Sequence, residues 1–94
     1  MSYGFLIHGE TDHVGVAVRD LKAGETVTGV TQTGRQEVTI VLREDVPLGH
    51  KIALVDRQSG DTIVKYNEVI GRAVVAIQKG DHVHVHNIKS VRWA

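Results

Sequence analysis

The sequence predicts an all-β domain built from short strands. Apolar residues recur at every second position, as in Val38-Ile40-Leu42 and Val83-Val85, and this period is typical of strands that bury one face. Valine, isoleucine and threonine are abundant, and branching at Cβ favours the pleated surface of a sheet over a helix. Glycine and polar residues separate these segments, so we expect a meander or barrel of short strands.

The expected strands begin with an apolar run and end with a histidine-rich one. They cover residues 5–7, 14–18, 38–42, 52–55 and 82–86. Residues 69–77 fit either a strand or a short helix, and Gly71 with three valines favours the strand. The single proline, Pro47, lies in an expected loop, and no linker rich in proline or serine divides the chain. Residues 1–94 are therefore predicted to form one domain.

A weak repeat marks the turns between strands. Four glycines are each followed, three residues later, by a β-branched apolar residue. The four segments are Gly24-Glu-Thr-Val27, Gly49-His-Lys-Ile52, Gly60-Asp-Thr-Ile63 and Gly80-Asp-His-Val83. Glycine suits such positions because turns often require a positive φ, which it adopts without steric cost. The spacings are irregular, so the repeat predicts one turn-to-strand device used four times rather than a solenoid.

Composition excludes several classes of function. Eleven basic side chains balance eleven acidic ones, which argues against nucleic-acid binding, and only four residues are aromatic, too few for a base-stacking platform. There is no cysteine for a disulfide or a thiolate metal site. The N-terminus lacks the apolar region of a signal peptide, and no apolar run approaches the roughly 20 residues of a membrane span. We expect a cytoplasmic protein.

Three of the six histidines alternate with valine near the end of the chain. In a strand, His82, His84 and His86 would share one face, and Val83 and Val85 would point into the core. Neutral imidazoles two residues apart on one face can bind a divalent metal, so His84 and His86 are the candidate ligands. The alternative is an exposed edge strand that uses histidine as an ordinary polar residue.

A second candidate follows the turn glycine Gly49. His50 and Lys51 lie there at the mouth of the strand that begins with Ile52, where rigid scaffolds tend to place ligand-contacting groups. Histidine moves protons near neutral pH, and lysine offers a point charge to a carboxylate or sulfonate. We predict that both are catalytic and that His50 faces the substrate. The alternative is a solvated turn.

A third candidate lies near the N-terminus. His8 follows the first apolar run, and Asp12 and His13 come shortly after it. Asp12 would either orient an imidazole or cap a turn. We include His8, Asp12 and His13 among the expected substrate-binding residues.

The order of these pieces resembles the small-subunit or N-terminal domain of the altronate/galactarate dehydratase family. The similar segments are His8 and residues 12–18, 46–54, 63–66, 70–73 and 80–87, which together span nearly the whole chain. The family pattern often has asparagine where this chain has His13, and glycine where it has Asn67. The resemblance implies an SAF-type β-clip fold. It also implies a separate large subunit as partner and a divalent metal, with iron the expected ion, held mainly by that partner.

The reaction implied by the resemblance is a β-elimination from a small anionic hydroxy acid. A base removes the proton next to the carboxylate, a group leaves the neighbouring carbon, and the resulting enol becomes a ketone. The resemblance favours (2R)-sulfolactate, which gives pyruvate and sulfite, and Lys51, Lys65 or Arg72 would hold the sulfonate. A sugar-acid dehydratase subunit is the alternative. A non-catalytic carbohydrate-binding or structural module also stays open, although the few aromatic residues argue against sugar binding.

Overall fold

Nine strands form the regular structure of residues 3–34 and 36–90, which the computed structural model describes. They are β1 (Phe5–Ile7), β2 (Val14–Ala17), β3 (Thr26–Thr31), β4 (Glu37–Val41), β5 (Lys51–Ala53), β6 (Thr62–Lys65), β7 (Glu68–Ala73), β8 (His82–Val83) and β9 (Ile88–Lys89). These residues include no helix, so the all-β prediction is confirmed. Accordingly, none of the described segments is a helix of the length and apolarity needed to cross a membrane.

The strands form two sheets. The larger has the order β4-β3-β1-β2-β5-β8 and the smaller the order β6-β7-β9. All pairings are antiparallel except that of β1 with β3. Residues 69–77 fitted either a strand or a short helix. Strand β7 (Glu68–Ala73) occupies the first part of this segment, so the preference for strand is confirmed.

Strand β5 contributes to two hydrophobic cores. Ile52 lies in the first and Ala53 in the second, and their exposed fractions are 0% and 1%. The first core consists of Phe5, Ile7, Ala17, Leu21, Val27, Ile40, Leu42, Val46, Ile52 and Leu54. The second consists of Val14, Ala53, Ile63, Ala73, Ile77 and Val83. Because core residues cover both faces of β5, the strand holds the residues at its start in fixed positions.

The four repeated glycines occupy equivalent turns, as predicted. Their φ angles are 88° at Gly24, 85° at Gly49, 94° at Gly60 and 93° at Gly80, in the region that side chains with a Cβ rarely adopt. The turns span residues 21–25, 46–50, 57–61 and 77–81.

These turns associate in pairs. A bridge joins Leu21 to Val46, so the first turn pairs with the second. The carboxylates that precede them cross over: Asp20 accepts a hydrogen bond from the Leu48 N–H, and Asp45 accepts one from the Ala23 N–H. A bridge from residue 57 to residue 77 joins the third turn to the fourth in the same way.

His13 connects the two sheets. Its backbone N–H donates to the Val64 carbonyl at 2.9 Å, and its Nδ1 accepts from the Val64 N–H at 3.0 Å. Its own carbonyl accepts from the Leu54 N–H at 2.8 Å. An imidazole that accepts a hydrogen bond at Nδ1 must be unprotonated there, so this link needs neutral His13.

Asp12 supports the turn between β6 and β7. Its carboxylate is buried and accepts hydrogen bonds from the backbone N–H groups of Gly9, Tyr66 and Asn67. Tyr66 and Asn67 have φ angles of 56° and 60°, which suit a tight two-residue hairpin turn. Asparagine tolerates this conformation better than most residues, so Asn67 can occupy a turn position that otherwise favours glycine.

The His13 link predicts a specific pH dependence of stability. Burial, followed by the positive charge of Arg57, lowers the pKa of His13 from its ordinary value of 6.5. The folded state therefore prefers neutral His13, whose stabilisation is complete above pH 6.5 and is lost as the pH falls through the lowered pKa. Replacing His13 with asparagine keeps an acceptor for the Val64 N–H but removes the titrating group.

We expect the melting temperature of the wild type to fall more steeply than that of His13→Asn between about pH 7 and about pH 5. Thermal melts followed by circular dichroism across this range measure the difference. The other histidines are present in both proteins, so their contributions to the pH dependence of stability cancel in the comparison. Parallel curves would show that His13 makes no pH-dependent contribution.

Candidate functional site

Three histidines from two paired strands form a cluster. One ring nitrogen from each of His50, His82 and His84 lies within 4.8 Å of the other two. The His50 Nδ1 and His82 Nε2 atoms are 2.8 Å apart, and the His50 and His84 rings stack with their centroids 4.3 Å apart. All three side chains are half-buried. We call these residues the histidine cluster.

The pairing of β5 with β8 creates this cluster. His50 immediately precedes β5, His82 begins β8, and His84 follows it. Lys51 lies opposite Val83 in the ladder. Residues 32 positions apart in sequence are thereby held on adjacent strands about 5 Å apart.

The repeat of the turns explains why His50 is available. In three of the turns the residue after glycine is an acid, and Glu25, Asp61 and Asp81 each accept a hydrogen bond from the backbone N–H three residues earlier. In the second turn the earlier residue is Pro47, which has no N–H to satisfy. His50 therefore replaces the acid at no cost to the turn, and its side chain points to β8 instead.

The structure corrects the prediction of a strand over residues 82–86. Strand β8 ends at Val83, because the buried side chain of Asn87 folds the chain into a turn. Its Oδ1 accepts from the His84 N–H, and its Nδ2 donates to the His82 carbonyl. Val83 is buried as expected, but the prediction that Val85 points into the core is wrong, since 81% of it is exposed.

The turn also changes the expected set of metal ligands. His84 belongs to the histidine cluster, whereas His86 is exposed, with its ring centroid 5.2 Å from that of His82. His82 was not among the metal ligands predicted from the sequence, which were His84 and His86. The signal was the glycine repeat, because His82 occupies the position two residues after Gly80 that Lys51 occupies after Gly49.

The environment of His82 and His84 favours neutral imidazoles. Partial burial, followed by the charge of His50, lowers the pKa of both His82 and His84. The charge of Lys51 lowers the pKa of His84 further. Neutral imidazoles keep a lone pair for a proton or a metal.

Lys51 lies beside the cluster, and Lys65 lies close enough to Lys51 for the two charges to interact. Neither Lys51 nor Lys65 takes part in an ion pair among residues 3–34 and 36–90. Burial, followed by the charge of Lys51, lowers the pKa of Lys65, so these two ammonium groups repel each other. Lys65 Nζ lies 4.8 Å from the centre of the Tyr66 ring. The pair is suited to an anion, which would relieve this repulsion.

His8 lies on the far side of Tyr66. The two rings stack with their centroids 4.2 Å apart, and the tyrosine hydroxyl is 3.3 Å from His8 Nε2. Beside them is an open groove of about 650 Å³. Its lining consists of His8, Gly9, Glu10, Thr11, Thr33 and Asn67.

The structure therefore divides the expected site residues into groups. His50, Lys51 and His84 come together at the cluster, and Lys65 and His8 extend this surface past Tyr66. The two expected N-terminal residues, at positions 12 and 13, make backbone hydrogen bonds that support the fold. The described hydrogen bond of Arg72 is with the Gly60 carbonyl, and none of its described contacts reaches the cluster.

Known proteins are similar in sequence to this chain over two thirds of its length or more. A relative from Chromohalobacter salexigens, the (2R)-sulfolactate sulfo-lyase subunit alpha, is 39% identical over 94 residues, which cover 99% of this chain and 100% of the relative. The subunit of the same name from Paracoccus pantotrophus is 41% identical over 64 residues, or 68% of this chain and 96% of the relative. Altronate dehydratase of Escherichia coli is 42% identical over 79 residues, which are 84% of this chain but 15% of that enzyme.

The family comparison covers the same extent. The family model described as the altronate/galactarate dehydratase SAF domain matches residues 3–91, a range that includes every strand and all six histidines. The chain therefore belongs to the altronate/galactarate dehydratase SAF domain family.

Proposed function

We propose that this chain is the small subunit of a metal-dependent lyase that converts (2R)-sulfolactate to pyruvate and sulfite. The observation that carries the proposal is the end-to-end likeness to a subunit named for that reaction, which extends over 99% of this chain and the whole of the relative. The larger dehydratases share the same domain as a small part of a longer chain. This difference in length favours a separate large subunit as partner.

The charges of the proposed surface suit this substrate. Sulfolactate carries a carboxylate and a sulfonate, both fully ionised near neutral pH. Neither Lys51 nor Lys65 forms an ion pair among the described residues, and Lys51 lies close enough to His84 to lower its pKa. We assign the lysines to the two anionic groups and His50 to the reacting part of the substrate.

The elimination breaks two bonds on adjacent carbons. The proton leaves the carbon that carries the hydroxyl and carboxylate, and the electron pair released forms a double bond as sulfite departs from the next carbon. The enol then takes up a proton to give pyruvate. A divalent metal supplies stabilisation of the charge that develops on the carboxylate and hydroxyl, and the nitrogen donors of the histidine cluster suit such an ion.

Exposed apolar residues support a partner over this surface. Leu48 is 61% exposed two residues before His50, and Val85 is 81% exposed next to His84. Exposed apolar side chains next to cluster residues in the sequence suit a contact with a partner that excludes water from the cluster. We propose that the large subunit covers these residues and contributes the rest of the active site.

The reaction is tested with the purified chain, the large subunit and their complex. We expect sulfite and pyruvate from (2R)-sulfolactate with the complex and no turnover with the small chain alone, because the groove beside His8 is open to solvent rather than enclosed. Dehydration of altronate or galactarate without sulfite release would instead identify a sugar-acid dehydratase. Turnover by the small chain alone would contradict the proposed division of the site.

His50 is tested against the equivalent residue of another turn. We expect His50→Ala to lower turnover of the complex by roughly 10²–10⁴-fold, as for loss of a group at the reacting centre. Its free energy of unfolding should change by no more than about 1 kcal/mol, because the turn does not use the side chain and the loss is limited to its contacts with His82 and His84. In the control, Glu25→Ala removes the acceptor for the Lys22 N–H, so it should lower the melting temperature and leave turnover unchanged.

Turnover and thermal melts of both complexes distinguish the roles. A His50→Ala complex with near-wild-type turnover would remove His50 from the site. A lowered melting temperature together with lost turnover would assign His50 to the fold.

The interface is tested with charged substitutions. We expect Leu48→Asp and Val85→Asp to weaken assembly with the large subunit, because an ionised carboxylate resists burial in an apolar contact. Their melting temperatures as isolated chains should stay near that of the wild type, since both residues are exposed. Val69→Asp is the matched control, because Val69 is 49% exposed on β7, in the smaller sheet, whereas β5 and β8 belong to the larger one.

Size-exclusion chromatography with a titration of the large subunit measures the three affinities. If all three variants assemble like the wild type, Leu48 and Val85 lie outside the interface.

A further inference from the structure

The histidine cluster consists of nitrogen donors only. His50, His82 and His84 each offer one ring nitrogen, and these atoms lie within 4.8 Å of one another. Neutral imidazole is the preferred ligand of zinc, iron, cobalt and nickel, whereas magnesium and calcium prefer oxygen. Three such ligands with further positions open are typical of metal sites that bind a substrate.

We propose that His50, His82 and His84 bind one divalent transition-metal ion on this subunit, with the remaining coordination positions open to the hydroxy acid. The proposal deepens the proposed function and rests on it for the identity of the substrate. It differs from the expectation for the family, in which the partner holds the metal, and it replaces His86 by two other ligands. It also gives His50 a definite role, which is to act on the substrate through the metal.

The backbone of the cluster is prepared for such an ion. The His82 N–H donates to Glu44 at 2.9 Å, and Asn87 holds the His82 carbonyl and the His84 N–H at 2.7 and 2.9 Å. His50 is held by the turn that precedes β5, where its own N–H donates to Pro47. Little backbone ordering then remains to oppose binding, which favours affinity.

The side chains require small adjustments, because ring nitrogens that lie within 4.8 Å of one another must converge on one ion. The His50 Nδ1 and His82 Nε2 atoms are 2.8 Å apart, the distance of a hydrogen bond. Two nitrogens bound to one tetrahedral ion, each at about 2.1 Å, are about 3.4 Å apart. The ion would replace the shared proton and separate the rings by roughly half an ångström, which half-buried side chains achieve by rotating about χ2.

His86 provides a matched control on the same turn. Its ring lies 5.2 Å from that of His82, but it is exposed and lies outside the group of converging nitrogens. His8 provides a second control, because it stacks on Tyr66 in another part of the surface. If metal bound to surface histidines in general, replacing His86 or His8 would weaken binding as much as replacing a residue of the histidine cluster.

The test uses the purified 94-residue chain without its partner and metal alone as the probe. Titration with Co²⁺ is followed by visible absorption and by calorimetry, and Zn²⁺ is used in competition. We expect one ion per chain and a visible spectrum of low-symmetry cobalt with nitrogen ligands. His82→Ala and His84→Ala should weaken binding more than about tenfold, since even indirect ligand supports contribute that much. His86→Ala and His8→Ala should bind like the wild type.

The melting temperature of each variant is measured alongside its titration. If an alanine variant fails to fold, the glutamine variant at the same position, such as His84→Gln, replaces it. Equal affinity in the wild type and the cluster variants, or no saturable binding, would overturn the site and leave His50 and His82 as a hydrogen-bonded pair. The complex then separates the two proposals. Sulfite release by a complex whose small subunit binds no metal would overturn the metal site alone. A small subunit that binds metal in a complex without lyase activity would overturn the proposed function alone.

Discussion

The pairing of β5 with β8 is the interaction on which the candidate site depends. Both faces of β5 are covered by core residues, so the strand cannot shift in register without exposing Ile52 or Ala53. This register places His82 opposite Ile52, and therefore beside His50 at the entrance of the strand. The cluster thus depends on the two hydrophobic cores for its geometry, although its own residues lie at the surface.

The four equivalent turns show how a small fold makes room for function. Acids at three of them satisfy a backbone N–H, and this structural requirement leaves no freedom for chemistry. At the second turn Pro47 removes the N–H and with it the requirement. His50 can then replace the acid while Gly49 keeps the same backbone conformation. The second turn therefore leaves this position free for a side chain that the turn itself does not use.

The residues near the N-terminus show the opposite relation. His13 and Asp12 carry chemically versatile groups, yet their side chains accept hydrogen bonds from backbone N–H groups of Gly9, of β6 and of the turn that follows it. By holding that segment, they place Lys65 and Tyr66 next to the surface that carries Lys51. Their contribution to a ligand would therefore be indirect, through the position of the lysine and the aromatic ring.

The sequence by itself determined the all-β class and the four glycine turns, and it predicted functional roles for His50 and His84, because these depend on local patterns and on residue chemistry. It also predicted a role for Lys51, beside the turn. Only the tertiary structure decided which residues meet. Local alternation predicted that β8 continues to residue 86, but the buried Asn87 ends this strand at Val83. The grouping of His82 with His50 requires a strand pairing across 32 residues, and such a pairing is set by the packing of both cores rather than by any local pattern.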